Sequence, residues 1–515
     1  MINQYQNPII RGMHPDPSVV RVGDHYYLAN STFEYYPGVT VMESDDLLNW
    51  QTLGGVATVP EQADLRTAKS NEGIFAANIR YHDGYFYVIT TNFAEFKTFI
   101  IRGKLTADGQ RIDWEKSRIT VNVPGIDPDL YFEDGHTYVQ FTGYIDKKGT
   151  KAIRQVEINL ATGAIIHEPE ILTYGTGGRD VEGPHIYKKD DYYYLLTAEG
   201  GTGAGHMITI FRSKALWGPY EDAQGINPLF TNRDRAEEPL QNIGHGDLFT
   251  DPDGNWWMVC LGTRPAAVDF KQITNLGRET LLYPVNWENG WPKVYNGVPS
   301  KVVDLTAFPK HRQALKDEQR LTDFKDDFSE QRLRPEWLSL RDSLGDHLTL
   351  EDNSLVLRGN GHTLHELTTP AFIGLRQTEQ EESLTVQLKG DNSQLNNGSF
   401  GIAAIINADN YAALLLEDNG NGKVNVIREQ RLDDIFIHQE IGELNELPVD
   451  LKLVNTKDEK QFAAISTDGT EISYSTKAIH LSNEAIAALN TGDVEGLYVT
   501  GDAKLVVNEV TRTSK

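Results

Sequence analysis

The chain has 515 residues, enough for two or three domains, and 39% of them are hydrophobic, so it can bury a large core. Its formal net charge of −26 repels phosphate backbones and anionic lipid, which argues against nucleic-acid and membrane partners and suits a neutral ligand. The single cysteine, Cys260 in the apolar run 256–261, excludes an internal disulfide and a cysteine metal site and reads as a core thiol.

Residues 1–8 lack the basic start and apolar stretch of a signal peptide, and no segment approaches the ~20 apolar residues of a membrane helix. A cytoplasmic protein acting on short, imported ligands is therefore expected. Five segments then share one pattern: a polar start, an apolar strand, an Asp/Gly turn and an aromatic-rich strand. Asp16-Pro17-Ser18-Val19-Val20 precedes Gly23-Asp24 and Tyr26-Tyr27-Leu28. Ala77-Asn78-Ile79-Arg80-Tyr81 precedes Asp83-Gly84 and Tyr85-Phe86-Tyr87-Val88. Asp127-Pro128-Asp129-Leu130-Tyr131 precedes Asp134-Gly135 and Tyr138-Val139. Gly183-Pro184-His185-Ile186-Tyr187 precedes Asp190-Asp191 and Tyr192-Tyr193-Tyr194. His245-Gly246-Asp247-Leu248-Phe249 precedes Asp253-Gly254 and Trp256-Trp257-Met258. Each is a hairpin signal, and a unit of about 50–60 residues with about four strands is a propeller blade. Five units predict a five-bladed β-propeller over residues 1–300.

Residues 301–323 are charged and strand-poor and read as a linker with one helical turn. From residue 324 to 515 the repeat is gone, and short alternating strands with Asn/Gly/Asp turns predict a β-sandwich. The fold class is all-β.

In a propeller the innermost strands start near the axis, so equivalent residues of different blades converge. Asp16 and Asp127 lie seven residues before their turns; Glu182 and His245 lie eight before theirs. Three carboxylates and an imidazole are thus expected to face one another. Clustered acids raise one another's pKa, and hydrolysis of a glycosidic bond uses that: a protonated carboxyl serves the leaving oxygen and a carboxylate activates water. A third acid can hold up the donor's pKa. His245 is a candidate water or metal ligand.

On these residues the chain resembles glycoside hydrolase family 43. The resemblance rests on Asn7-Pro8-Ile9, His14-Pro15-Asp16-Pro17-Ser18, Ser31-Thr32-Phe33-Glu34, Gly125-Ile126-Asp127-Pro128 and Glu182-Gly183-Pro184. It extends through Leu195-Leu196-Thr197-Ala198-Glu199-Gly200-Gly201, Gly244-His245-Gly246-Asp247-Leu248 and Leu276-Gly277-Arg278-Glu279-Thr280. It implies an inverting mechanism with Asp16 as general base, Asp127 as pKa modulator and Glu182 as general acid; Asp129 departs from the family's small polar residue and reads as an extra pocket contact or as the alternative modulator. It also implies the α-L-arabinofuranosidase and β-xylosidase branch, whose C-terminal β-sandwich is lectin-like. Phe33 would then wall the sugar pocket and Arg278 bond sugar hydroxyls, with Arg264 in support. Where the family carries a Gly-Ile-Trp-Ala-Pro-like motif, this chain has Gly73-Ile74-Phe75-Ala76-Ala77-Asn78, which offers Phe75 and Asn78 to the sugar.

The expected activity is release of terminal L-arabinofuranose, D-xylose or both from arabinoxylan or xylan oligosaccharides. A mainly β-1,4-xylosidase, a retaining fructan hydrolase on a related propeller and a non-catalytic sugar-binding propeller are the alternatives. No cofactor is required for the chemistry. A structural Ca2+ reached through water near His245 is implied by the resemblance, and a homo-oligomer is left open.

Overall fold

The computed structural model describes residues 2–109, 111–316 and 323–514. Five antiparallel sheets of at least four strands follow one another along the chain and form the five blades. Their innermost strands are Ser18–Val22, Asn78–His82, Gly125–Glu133, Glu182–Lys189 and Gln241–Thr250. The tight turns behind them follow from sequence: Asp83-Gly84 and Asp134-Gly135 have positive φ at both residues, which matches the right-handed twist of the flanking strands.

The aromatic second strands explain how the blades pack. Tyr26 meets Phe249 across blades 1 and 5 at 5.7 Å, and Tyr27 meets Phe86 across blades 1 and 2 at 4.8 Å. Tyr87–Phe132, Tyr131–Tyr193 and Tyr187–Trp256 join the remaining neighbours at 5.7, 6.3 and 6.3 Å. Every seam between blades thus carries an aromatic pair, which adds about 0.5–1.5 kcal/mol to the area it buries. Cys260 is fully buried in blade 5, as a core thiol should be.

The segment read as a linker is partly propeller. Val302–Asp304 pairs antiparallel with Gln4–Gln6, and Val303, Leu305, Phe308 and Leu315 enter the core beside blades 1 and 5. A single 3-10 turn forms at His311–Gln313. The charged residues between these apolar ones face outward, which is why composition hid them. Residues 317–322 of that segment lie outside the described residues.

The C-terminal part is two packed sheets. Lys504–Ser514 lies between Ser354–Arg358 and Glu382–Leu388 in one, and Val494–Val499 between Ala371–Arg376 and Ser399–Asn407 in the other. Phe400, Leu414, Phe462, Leu497 and Leu505 are fully buried between them. The sandwich docks on the propeller beside the site: Ser339–Leu340 pairs with Tyr35–Tyr36, and Asn275 Nδ2 donates to Ala478 O, Leu481 O and Asp493 Oδ2.

Candidate active site

The innermost strands of blades 3, 4 and 5 each carry a bulge at the axial end. A bulge re-aims side chains and is common beside active sites. The left-handed residues there are Asp127, Gly183 and His245, and Asp16 holds the same conformation in blade 1, with φ between 47° and 57° throughout. Glu182 therefore stands one residue ahead of the left-handed position shared by Asp16, Asp127 and His245, so the matched position expected for it across the blades does not hold. Gly183 takes the left-handed position instead, and a Cβ on it would lie 3.0 Å from the His245 ring.

The three carboxylates are nonetheless brought together, buried and close enough to act on one another's charge. Asp16 is 5%, Asp127 5% and Glu182 8% exposed. Their environments differ. Burial pushes Asp16 up, but Arg278, His245 and Ser31 outweigh it and leave this carboxyl below its usual range. Arg278 Nη1 donates to Oδ1 at 2.8 Å and Ser31 Oγ to Oδ2 at 2.5 Å. Asp127 is driven well up by burial and then by the charges of Glu182 and Asp16. Glu182 is raised by burial against the pull of Lys151, whose Nζ is 3.2 Å from Oε2. One carboxyl is thus held below its usual range and two above theirs, the kind of separation that can divide base from acid in a hydrolase.

The walls follow from local packing. Phe33 is 3% exposed, and its backbone exchanges hydrogen bonds with Ile74, an approach that Gly73 permits because a Cβ there would sit 2.3 Å from Phe33 O. The Arg278 guanidinium lies 5.6 Å over the Phe33 ring. Phe75 meets Phe33 edge-on at 5.6 Å and stacks on Phe93 at 4.5 Å; Phe96 and Tyr144 continue this aromatic row. The row runs from the Asp16–Arg278 pair to Tyr144, which senses Asp127 and Glu182. Phe93, Phe96, Tyr144 and Lys151 sit in no motif that sequence reasoning could have used.

Two expected sugar contacts are corrected. Arg264 donates to both Glu279 oxygens at 2.6 and 2.7 Å, to Glu379 at 2.8 Å and to Thr378 O at 2.7 Å, so four of its five N–H donors serve the domain interface. Asn78 is 1% exposed and donates to Pro128 O at 2.6 Å, tying blade 2 to blade 3. It belongs to a layer with Ser18, Asp129, His185 and Asp247, two residues along their strands from the left-handed residues Asp16, Asp127, Gly183 and His245. Arg80 fills the centre of that layer: it reaches Asp129 at 2.6 Å, Asp247 at 2.9 Å, Ser18 at 3.0 Å and His185 at 3.1 Å. Asp129 is ion-paired there, whereas Asp127 pairs with no cation among the described residues.

That layer also bears on the calcium expectation. Ca2+ takes six to eight oxygen ligands. The axial carboxylates Asp129 and Asp247 are already bonded to Arg80, and no group of three or more His, Cys, Asp or Glu that could hold a metal occurs among the described residues. What His245 offers is Nε2, buried and without a hydrogen-bond partner, on a ring whose pKa burial lowers to about 4. An imidazole beside Asp16, with Nδ1 3.8 Å from Oδ1, fits a bound water, the kind of contact through which the calcium was expected to be reached.

Two motifs become legible as supports. Glu199, fully buried, accepts from Thr176 N at 2.9 Å and Gly178 N at 3.0 Å and so fixes the loop that leads to Asp180 and Glu182. Gly244 leaves room for the His206 ring, 2.2 Å from where a Cβ would stand.

A five-bladed propeller with a carboxylate trio of divided ionisation, walled by aromatic rings, defines a glycoside hydrolase. Residues 5–292 match the family model described as glycosyl hydrolases family 43, and residues 325–506 match the beta xylosidase C-terminal concanavalin A-like domain. A non-reducing end alpha-L-arabinofuranosidase of Bacteroides ovatus is 34% identical over 98% of this chain and 93% of its own. A beta-xylosidase of Bacillus subtilis is 30% identical over 79% of this chain and 78% of its own. The solved structure of a Bacillus halodurans xylan beta-1,4-xylosidase superposes with a TM-score of 0.88 at 26% identity, covering 99% of this chain and 100% of that one. The chain belongs to glycoside hydrolase family 43, in the branch with a C-terminal β-sandwich.

Proposed function

We propose that the protein is an inverting exo-glycosidase that releases terminal L-arabinofuranose, and D-xylose where the pocket accepts it, from arabinoxylan- or xylan-derived oligosaccharides. The observation that carries this is the divided ionisation of the trio: Asp16 is pulled down by Arg278 while Asp127 and Glu182 are pushed up. Asp16, ionised, takes a proton from water as that water attacks the anomeric carbon. Glu182, protonated, gives its proton to the departing glycosidic oxygen. Asp127 keeps that proton in place by disfavouring a second charge beside Glu182. Phe33 and Phe75 offer apolar faces to the sugar, and Arg278 both charges Asp16 and presents donors to hydroxyls. The chemistry uses only water and the chain's own carboxyls. The similarity to enzymes named arabinofuranosidase and beta-xylosidase supports both sugars, with arabinofuranose favoured.

The test is paired hydrolysis of 4-nitrophenyl α-L-arabinofuranoside and 4-nitrophenyl β-D-xyloside by wild type and Glu182→Ala. Loss of a general acid costs about 10²–10⁴-fold, less with so good a leaving group. Product NMR should show the inverted anomer first; a retained anomer overturns the mechanism, and cleavage of neither substrate overturns the specificity.

A further inference from the structure

Lys151 opens the third strand of blade 3, opposite Tyr144 in the ladder, in a stretch that carries no motif. Its side chain is only 15% exposed. A buried ammonium is costly unless paired, and this one is paired twice: Nζ lies 3.2 Å from Glu182 Oε2 and 3.4 Å from Asp180 Oδ1. Asp180 is itself bonded to Arg179, whose carbonyl is held by Gly200 N at 2.6 Å. The loop before Glu182 and the hairpin end of blade 3 are thus locked together at the proton donor.

We propose that Lys151 is a positioning residue for Glu182: it fixes which carboxyl oxygen carries the proton and sets the upper pH limit of the reaction. This rests on Glu182 being the general acid. An ammonium only donates, so it occupies Oε2 and leaves the transferable proton to Oε1. Its charge also favours the ionised carboxyl, against burial and the charges of Asp180, Asp16 and Asp127; Tyr144 and Arg179 complete the groups that sense Glu182. Without the cation the carboxyl holds its proton to higher pH.

The experiment is the pH profile of kcat/KM for wild type, Lys151→Met, Lys151→Gln and Lys151→Arg, on 4-nitrophenyl α-L-arabinofuranoside and on a substrate with a poor leaving group, xylobiose. In both neutral variants the alkaline limb moves up by about one pH unit or more. Their kcat on the poor leaving group falls about tenfold further than on the nitrophenyl sugar, because the proton is misplaced. Lys151→Arg restores the wild-type limb. Alkaline limbs of the Met and Gln variants that superimpose on wild type overturn the proposal. Glu182→Ala is run alongside: if it stays fully active, the general-acid assignment falls first, whereas a crippled Glu182→Ala with unmoved Lys151 limbs removes only the role of Lys151.

Discussion

Arg278 Nη1 donates to Asp16 Oδ1 at 2.8 Å, and neither side chain is more than 6% exposed. The pair links residues 262 positions apart, from blades 5 and 1, and under the proposed mechanism it sets the acid edge of activity. Asp16 acts only when ionised, and its carboxyl is held below the usual range although burial alone would raise it. Arg278→Met removes the counter-charge, so the acid limb of kcat/KM should move up by about 1–3 units. Ser31→Ala should move it the same way by less. An acid limb unmoved in both variants would contradict the base role.

Asp127→Asn should act on the opposite edge. Asp127 and Glu182 repel when both are charged: after burial, the charge of Glu182 is what raises Asp127 most, and under the proposed mechanism the charge of Asp127 would in turn oppose ionisation of Glu182. A neutral amide removes it while Lys151 remains, so Glu182 ionises at lower pH and the alkaline limb moves down. Its direction is opposite to that expected for Lys151→Met. A limb that moves up or stays fixed would return the modulator role to open question.

Much of this was legible in the sequence. The Asp/Gly turns and aromatic second strands spelled out five hairpins because turn chemistry and blade packing are local. Asp16 and Asp127 were legible because each precedes a proline in a repeated frame. Glu182 was found, but its register was misjudged, since a bulge shifts the frame without leaving a mark in spacing. Arg264 and Asn78 were misread because their partners, Glu379 and the carbonyl of Pro128, lie far along the chain. Lys151 and Arg80 escaped notice for the same reason: a lone cation in a strand gains meaning only from the carboxylates that fold against it.

The axial Arg80 makes metal dependence testable. Its guanidinium is bonded to Asp129 and Asp247; burial would raise Asp247, yet Arg80 brings it down to about 2. Prolonged chelation should therefore leave both the melting temperature and activity unchanged. Arg80→Met should destabilise the propeller by about 3–5 kcal/mol, the usual consequence of stranding buried charge. Loss of activity on chelation, restored by calcium, would overturn the reading of the axis.

Arg264 separates a structural cation from a sugar-binding one. Its four hydrogen bonds join Glu279 of blade 5 to Glu379 and Thr378 of the sandwich, and Glu279 is fully buried, where burial raises its pKa against the pull of Arg264. Arg264→Met strands that carboxyl and should cost about 3–5 kcal/mol of stability, seen as a lower melting temperature. The loss should grow as pH rises from acid to neutral, because a protonated Glu279 is cheaper to bury than a charged one. KM for the nitrophenyl arabinofuranoside should stay near wild type at temperatures where the variant is folded, since four of the five N–H donors of Arg264 are committed to Glu279, Glu379 and Thr378. A raised KM with an unchanged melting temperature would place Arg264 in the pocket after all, and would mean that the interface holds without it.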